Sequence, residues 1–290
     1  GQVNKFICPV PGYDRHFSIC ELLGIEMIPV AMNDNGPDME MVAKLAAEDS
    51  SIKGIWCVPV HSNPSGACYS AEVIKTLASM QTAASDFRIM WDNAYAIHHF
   101  VDGYYEKANI LEECKSAGNA DRVVLFGSTS KITHAGSGVS FMGGSESNVA
   151  YHKSLLGIQT IGYDKIAQLR HVKFFGDYAG LCSHMKRHAD ILKPKFDAVI
   201  AAFGREIKNS EASWTTPEGG YFISLQTKVG KAKKVVELAE KAGVKLTPAG
   251  STHPYMKDQT DSYIRIAPSF PTLDAVKTAS EVVALSVLIA

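Results

Sequence analysis

The first half of the chain alternates short apolar segments with amphipathic ones. Apolar residues recur at helical spacing at 37–48, at 70–84, where Ser70 can cap the helix, and at 110–118. Four apolar segments around these helices are predicted strands, at 24–30, 52–60, 87–92 and 122–128. Apolar strands separated by helices predict a mostly parallel sheet covered on both faces. The expected fold class is therefore α/β, a three-layer sandwich.

The second half has a different pattern. Residues from about 145 to 205 are predicted to be almost entirely helical, with one long helix from Asp177 to Ile207. After them come a predicted strand at 218–226, a helix at 230–243, a strand at 263–268 and a terminal helix at 272–288. This order predicts a smaller α+β domain at 186–290 after a larger domain at 1–185.

Composition narrows the class of protein. The 290 residues carry a formal net charge of −1, which gives no strong field toward nucleic acid or an anionic membrane. No segment approaches the roughly 18 apolar residues of a membrane span. The six cysteines are scattered without a CxxC pair, which favours reduced thiols over disulfides or a zinc site. We therefore expect a cytoplasmic protein without a metal centre.

Polar segments follow three of the predicted strands. They are HSNPSG at 61–66, DNAY at 92–95 and STSK at 128–131. Because ligands of parallel sheets collect at the carboxyl ends of the strands, these segments predict one shared site.

Each segment contributes a residue with useful chemistry, and each residue also has an ordinary structural interpretation. Lys131 stands among small residues that let a ligand approach, and lysine forms Schiff bases; otherwise it is a surface lysine in a turn. Asp92 can reach into a cleft or cap a helix. Asn63 can donate from its amide or form the Asn-Pro turn. Arg265, in the apolar strand 263–268, can clamp a substrate carboxylate or form a salt bridge to another domain.

Taken in order, NPxG (63–66), DxxY (92–95), SxSK (128–131) and the late RIA arginine, Arg265, resemble the motifs of fold-type I pyridoxal-phosphate aminotransferases. The separations of 29 residues between the first and second motifs and 39 between the aspartate and the lysine also match. The resemblance spans nearly the whole chain. It implies pyridoxal 5′-phosphate as cofactor and a homodimer with shared active sites.

The resemblance implies a role for each residue at the cofactor. Lys131 forms the Schiff base and moves a proton during catalysis. Asp92 pairs with the pyridinium nitrogen, which keeps the ring an electron sink. Tyr95 and Asn63 donate hydrogen bonds to the phenolate oxygen. The predicted catalytic residues are thus Lys131, Asp92 and Tyr95.

The phosphate-binding part departs from the common pattern. Ser128, with Ser130 as a second candidate, resembles the phosphate-binding serine. The arginine that usually follows the lysine is replaced by Gly138. The glycine-rich phosphate loop and the N-terminal arm of the family are expected to precede Gly1, so the predicted function concerns a longer parent enzyme.

PEGGYF at 217–222 resembles the PxGGxF motif of the family's small domain. Three further segments are similar to one subgroup, the type Ic aspartate aminotransferases. They are PGYDRHF at 11–17, FGSTSKIT at 126–133 and QLRHVKFF at 168–175. Within the first of them, Tyr13 fits the aromatic residue that stacks on the pyridine ring.

The subgroup implies a dicarboxylic substrate. Arg265, with Asn63, resembles the clamp on the α-carboxylate. A second cation is needed for the distal carboxylate, and Arg15 is the first candidate, with Arg170 and Lys173 weaker ones. The predicted reaction transfers an amino group between aspartate or glutamate and a 2-oxo acid by ping-pong kinetics. The alternatives are a lyase of the same fold and the aminotransferase-like effector domain of a winged-helix transcription regulator.

Overall fold

The computed structural model describes residues 3–101, 107–134 and 136–290, so Ala135 of the lysine segment lies outside the described residues. Within them, seven strands form the main sheet, in the order β3-β2-β1-β4-β5-β6-β7. They are β1 (Lys5–Val10), β2 (Glu26–Asn33), β3 (Gly36–Pro37), β4 (Ile52–Cys57), β5 (Arg88–Asp92), β6 (Val123–Ser128) and β7 (Ser140–Gly144). The five inner strands run parallel, and the edge strands β3 and β7 are antiparallel. The predicted mostly parallel sheet is confirmed.

Both faces of this sheet are covered, because successive strand residues point in opposite directions. Ile7 belongs to a core on one face, whereas its neighbours Phe6 and Cys8 belong to a separate core on the other. The first core includes residues of α2 (Met39–Glu48), α3 (Ala71–Ser79) and α4 (Ile110–Ser116), and the second includes residues of α1 (Asp14–Leu22). The architecture is a three-layer sandwich, as predicted.

The helical part and the last third of the chain follow. The helices are α5 (Glu146–Gln159), α6 (Lys165–Phe175), α7 (Tyr178–Glu206), α8 (Ala232–Lys241) and α9 (Leu273–Ile289). The antiparallel strands β8 (Ser213–Trp214), β9 (Ile223–Gln226) and β10 (Tyr263–Ile266) form a second sheet in the order β10-β9-β8. Helices α7, α8 and α9 pack on it around a core of its own, which includes Phe203, Leu225 and Ile264. None of the described helices is long and apolar enough to cross a membrane.

Several elements differ from the sequence prediction at their ends. Ser70 does cap α3, accepting a hydrogen bond from the backbone of Val73, but the helix ends at Ser79. The strand predicted at 218–226 begins only at Ile223. The residues before it pack closely against His61. A side chain at Gly219 would collide with the His61 ring. Strands β1, β3, β7 and β8 and helix α1 are too short or too weakly patterned to stand out in the sequence.

Candidate functional site

Three neighbouring strands end at the same edge of the main sheet and bring the predicted site residues together. Asp92 is the last residue of β5, which lies between β4 and β6. Lys131 follows the end of β6, and Asn63 lies in the loop after β4. The polar segments predicted to converge therefore do so. We call this region the strand-end site.

The Asp92 carboxylate is held by a histidine that the sequence analysis did not identify. His16 Nε2 donates to Asp92 Oδ2 at 2.9 Å. The His16 ring is buried, stacks on Trp56 with centroids 4.2 Å apart and meets Tyr13 edge-on at 5.1 Å. Tyr13 and His16 are three residues apart at the start of α1, so one helical turn presents both toward β5. That spacing in PGYDRHF is the signal that could have identified His16.

The aromatic ring of Tyr95 lies beneath the amine of Lys131. Lys131 Nζ lies 5.2 Å from the centroid of the Tyr95 ring, the geometry of a cation–π contact. Burial raises the pKa of the Tyr95 hydroxyl, and the nearby Tyr13 and Asp92 add to this effect. The hydroxyl is therefore protonated near neutral pH and can donate a hydrogen bond.

Arg265 is half-buried and paired within the chain. Its Nη1 donates to Asp14 Oδ1 at 3.0 Å and to Asn63 Oδ1 at 3.3 Å, and the guanidinium carbon lies 5.2 Å from the Phe222 ring centroid. The salt bridge to a distant part of the chain, one of the two interpretations from sequence, is thus present. Arg265 Nε is buried without a hydrogen-bond partner among the described residues, so the fork retains capacity for an anion. Because Asn63 Oδ1 accepts from the arginine, the amide NH₂ is the group that can donate to a ligand.

The loop that carries Lys131 is fixed through its backbone. The Lys131 carbonyl accepts from Tyr221 Oη at 2.6 Å and from His98 Nε2 at 3.4 Å. His184 Nε2 donates to the next carbonyl, that of Ile132, at 2.8 Å. No local sequence signal marks these contacts, since their donors lie on distant segments.

Further ties hold the side chains of the same loop. The hydroxyls of Thr129 and Thr133 lie 2.8 and 3.1 Å from His171 Nε2. His171 Nδ1 lies 2.7 Å from the Ala167 carbonyl and must donate to it, because a carbonyl can only accept. His171 lies on α6, within the QLRHVKFF segment. The lysine loop is therefore anchored to α6 as well as to the segment that precedes β9.

Gly138, which the sequence comparison predicts in place of a phosphate-binding arginine, is closely packed against Ser130. A Cβ on Gly138 would lie 2.9 Å from Ser130 Oγ and 3.1 Å from the Ser130 backbone nitrogen and Cα. A larger side chain would therefore displace the serine loop. Ser128 Oγ accepts from the Ser130 N–H at 3.4 Å, which places both serines beside Lys131. Their role toward a phosphate stays a prediction.

The candidates for a second substrate cation lie on exposed faces. Arg15 is exposed on α1, next to the half-buried Tyr13. Arg170 and Lys173 are exposed on α6 and line a cavity of about 870 Å³ together with His184, but without Lys131, Asp92 or Tyr95. Within one chain, the structure therefore unites Asn63, Asp92, Tyr95, Lys131 and Arg265 more closely than it does these three cations.

Comparisons with known proteins agree with this geometry. The family model described as aspartate amino-transferase matches residues 1–290. A protein of Mycolicibacterium smegmatis is 50% identical over 287 residues, covering 99% of this chain and 67% of that protein. The aspartate aminotransferase of Corynebacterium glutamicum is 47% identical over 290 residues, covering 100% of this chain and 67% of that enzyme.

Solved structures show the same relationship. The crystal structure of an aspartate transaminase from Corynebacterium glutamicum has a TM-score of 0.97 at 46% identity, covering 100% of this chain and 68% of that one. A kynurenine aminotransferase from Pyrococcus horikoshii, at 22% identity and a TM-score of 0.85, shares the fold over 100% of this chain and 70% of its own. The chain belongs to the aspartate amino-transferase family and is related to the fold-type I pyridoxal-phosphate aminotransferases.

Proposed function

We propose that this aminotransferase exchanges the amino group between aspartate or glutamate and a 2-oxo acid, with Lys131 as the reacting lysine. The observation that carries the proposal is the strand-end site, which combines a lysine over Tyr95, a carboxylate held by a histidine and a half-buried arginine. Tyr13, Asp92 and Arg265 each influence the pKa of the Tyr95 hydroxyl, which supports placing them around one site.

The residues fit pyridoxal 5′-phosphate. Asp92, oriented by His16, would hold the pyridinium nitrogen, and Tyr13 would stack on the ring. Tyr95 and Asn63 would donate to the phenolate oxygen. When bound, the cofactor supplies the electron sink for the carbanion formed at the substrate Cα. The serines at 128 and 130 would hold its phosphate, because Gly138 leaves no arginine there.

The chain's own groups then have distinct tasks. Arg265 would bind the substrate α-carboxylate through its fork, which orients the Cα–H bond. Lys131 Nζ would accept the proton from the substrate Cα. It would donate this proton again later in the reaction, to complete the amino transfer. Asn63 connects the two ends of the site, because its amide oxygen is bonded to Arg265. For a dicarboxylic substrate, Arg15 is proposed for the distal carboxylate.

A spectroscopic experiment tests the proposal. The protein is mixed with pyridoxal phosphate, and its visible absorbance is followed as aspartate is added. We expect the band of the lysine-bound cofactor to convert to the pyridoxamine form with stoichiometric oxaloacetate. Lys131→Ala should show neither change, whereas Lys233→Ala, which is exposed on α8, should behave as wild type. Wild-type protein that binds the cofactor but converts neither aspartate nor glutamate would contradict the substrate proposal, and release of ammonia would indicate a lyase.

We further propose a homodimer. The α5–α6 surface consists of five exposed apolar residues, Ile158, Ile161, Tyr163, Ile166 and Phe174. Several large apolar side chains exposed on neighbouring segments are characteristic of an interface. A second copy of the chain is the occupant that the family resemblance implies, and a shared active site would follow from the nearness of this surface to the lysine loop through His171.

We also propose that residues 1–185 form the cofactor domain and 186–290 the small domain. The two cores of the main sheet draw their buried residues from the first range, and the core of the second sheet draws its buried residues from the other. Helix α7 crosses the boundary without interruption and would connect the two.

For the compartment, we propose the cytoplasm. All six cysteines are free thiols, and four of them are fully buried as small apolar side chains. A reducing environment suits such a set, because no pair contributes a stabilising disulfide.

A further inference from the structure

We propose that Tyr221 is a positioning residue for Lys131, holding the lysine's peptide carbonyl from the segment that leads into β9. The inference rests on the proposed function, since it assumes that Lys131 is the reacting lysine. Tyr221 Oη donates to the Lys131 carbonyl at 2.6 Å, a short bond across 90 residues of sequence. The hydroxyl is thus in contact with the backbone of the lysine, not with the amine that reacts.

The Lys131 peptide group is held on both sides. Its carbonyl accepts from Tyr221 and, at 3.4 Å, from His98 Nε2. The N–H of the same planar unit belongs to Ile132 and donates to the Thr129 carbonyl at 2.9 Å. Since the plane cannot rotate without breaking these bonds, the direction in which the Lys131 side chain leaves the backbone is fixed.

The donors are in the protonation states that this arrangement requires. Burial raises the pKa of the Tyr221 hydroxyl, so it keeps its proton near neutral pH. Burial lowers the pKa of His98 to about 4, so its ring is neutral, and the proton must be on Nε2 because a carbonyl can only accept. The His98 Nδ1 atom is buried without a hydrogen-bond partner among the described residues. The imidazole is therefore used on one side only, toward Lys131.

Aromatic packing fixes the Tyr221 ring itself. It meets Tyr95 edge-on at 5.8 Å between centroids and His98 at 5.4 Å. Tyr95 is the ring over which Lys131 Nζ lies. Tyr221 therefore contacts both the Tyr95 ring, which lies under the Lys131 amine, and the Lys131 carbonyl.

Tyr221 also connects the lysine to the arginine fork. The next residue, Phe222, lies 5.2 Å beneath the Arg265 guanidinium. The segment before them is anchored, because the Gly220 N–H donates to the His98 carbonyl at 2.8 Å and Gly220 adopts a φ of +75°, which glycine tolerates best. A substrate carboxylate on Arg265 and the amine of Lys131 are thus positioned by one two-residue support.

The test compares Tyr221→Phe with Tyr255→Phe. Tyr255 is a matched control, because its hydroxyl also makes one backbone hydrogen bond, from Met27 N–H at 3.0 Å, away from the lysine loop. Hydrogen exchange of the Ile132 amide is measured without cofactor. Loss of one hydrogen bond should speed that exchange by roughly three- to tenfold in Tyr221→Phe and leave it unchanged in the control. With cofactor and aspartate, kcat should fall by a similar factor while KM stays within about twofold.

The outcomes separate this inference from the proposed function. Unchanged Ile132 exchange and unchanged kcat in Tyr221→Phe would overturn it, as would a rise in KM without a fall in kcat. If wild-type protein does not transaminate, the proposed function fails, yet the exchange comparison still decides whether Tyr221 holds the loop. Should Tyr221→Phe not fold, His98→Gln removes the second donor's ring and must show faster Ile132 exchange; wild-type exchange there would contradict the proposal.

Discussion

The strand-end site and the α5–α6 surface differ in the burial of their side chains and in the partners that those side chains have within the chain. At the strand-end site, polar groups are buried and bonded: Asn63 is 3% exposed, and Arg265 is held by Asp14 and Asn63. On the α5–α6 surface, apolar groups face outward: Ile158 is 85% exposed, and Ile161 is fully exposed.

The difference shows what each region still needs. Burying a polar group costs free energy unless a partner is provided. At the strand-end site these partners come from the same chain. Exposing a row of apolar groups is equally unfavourable, and the missing partner there is another apolar surface. Catalytic geometry is therefore expected to depend on the first region, and assembly on the second.

The largest expected effect lies in the buried region. Arg265→Lys keeps the charge but loses the planar fork, so kcat/KM for aspartate should fall about 100-fold, as for the loss of charge-assisted hydrogen bonds. Steady-state kinetics at fixed pH measure the change. Arg205→Lys is the matched control, because Arg205 pairs with Glu206 and Glu281 on the exposed surface. Unchanged kcat/KM in Arg265→Lys would mean that the ion pair with Asp14 is the arginine's whole role.

The second effect concerns stability and pH. Burial lowers the pKa of His98 to about 4, below the ordinary value of 6.5. The native state therefore resists a proton that the unfolded chain accepts, so this stabilisation is complete above pH 6.5 and is lost as pH falls toward 4. From pH 7 to pH 5 the free energy of unfolding should drop by about 1–2 kcal/mol through His98.

Urea unfolding at the two pH values measures this loss. His98→Gln, which cannot take up the proton, should lose less stability between pH 7 and pH 5 than wild type. His134→Gln is the control, because His134 is exposed. Equal losses in wild type and His98→Gln would show that His98 does not carry the pH dependence.

The two regions also differ in how far the sequence predicted them. Asp92 and Lys131 could be identified because a polar residue after a buried strand must face the edge where ligands bind. Tyr221 could not, since its partner lies 90 residues away and no local pattern points to it. His16 lies 76 residues from Asp92, and only its spacing from Tyr13 could have indicated it. Helices α5 and α6 were predicted as helices, but only the folded chain shows that the apolar residues of the α5–α6 surface are exposed.

The third prediction concerns the exposed region. Ile161→Glu places a charge on the α5–α6 surface, so the dimer dissociation constant should rise about tenfold, as for the lost burial of one aliphatic side chain. Sedimentation velocity over a concentration series measures it. Ile191→Glu is the control, because Ile191 is 62% exposed on α7 and outside this surface. Equal dissociation constants for the two variants would remove the α5–α6 surface as the interface.

The smallest effect is expected at Arg15, an exposed cation next to the strand-end site. Arg15→Ala should raise the KM for aspartate about threefold, the size of an exposed ion pair, and leave the KM for alanine unchanged. Arg205→Ala is the control, because Arg205 is exposed and pairs with Glu206 and Glu281 away from the site. If aspartate and alanine are affected alike, Arg15 does not read the distal carboxylate. The cation for that group would then have to come from across the α5–α6 surface, which would make substrate choice a property of the dimer and not of the single chain.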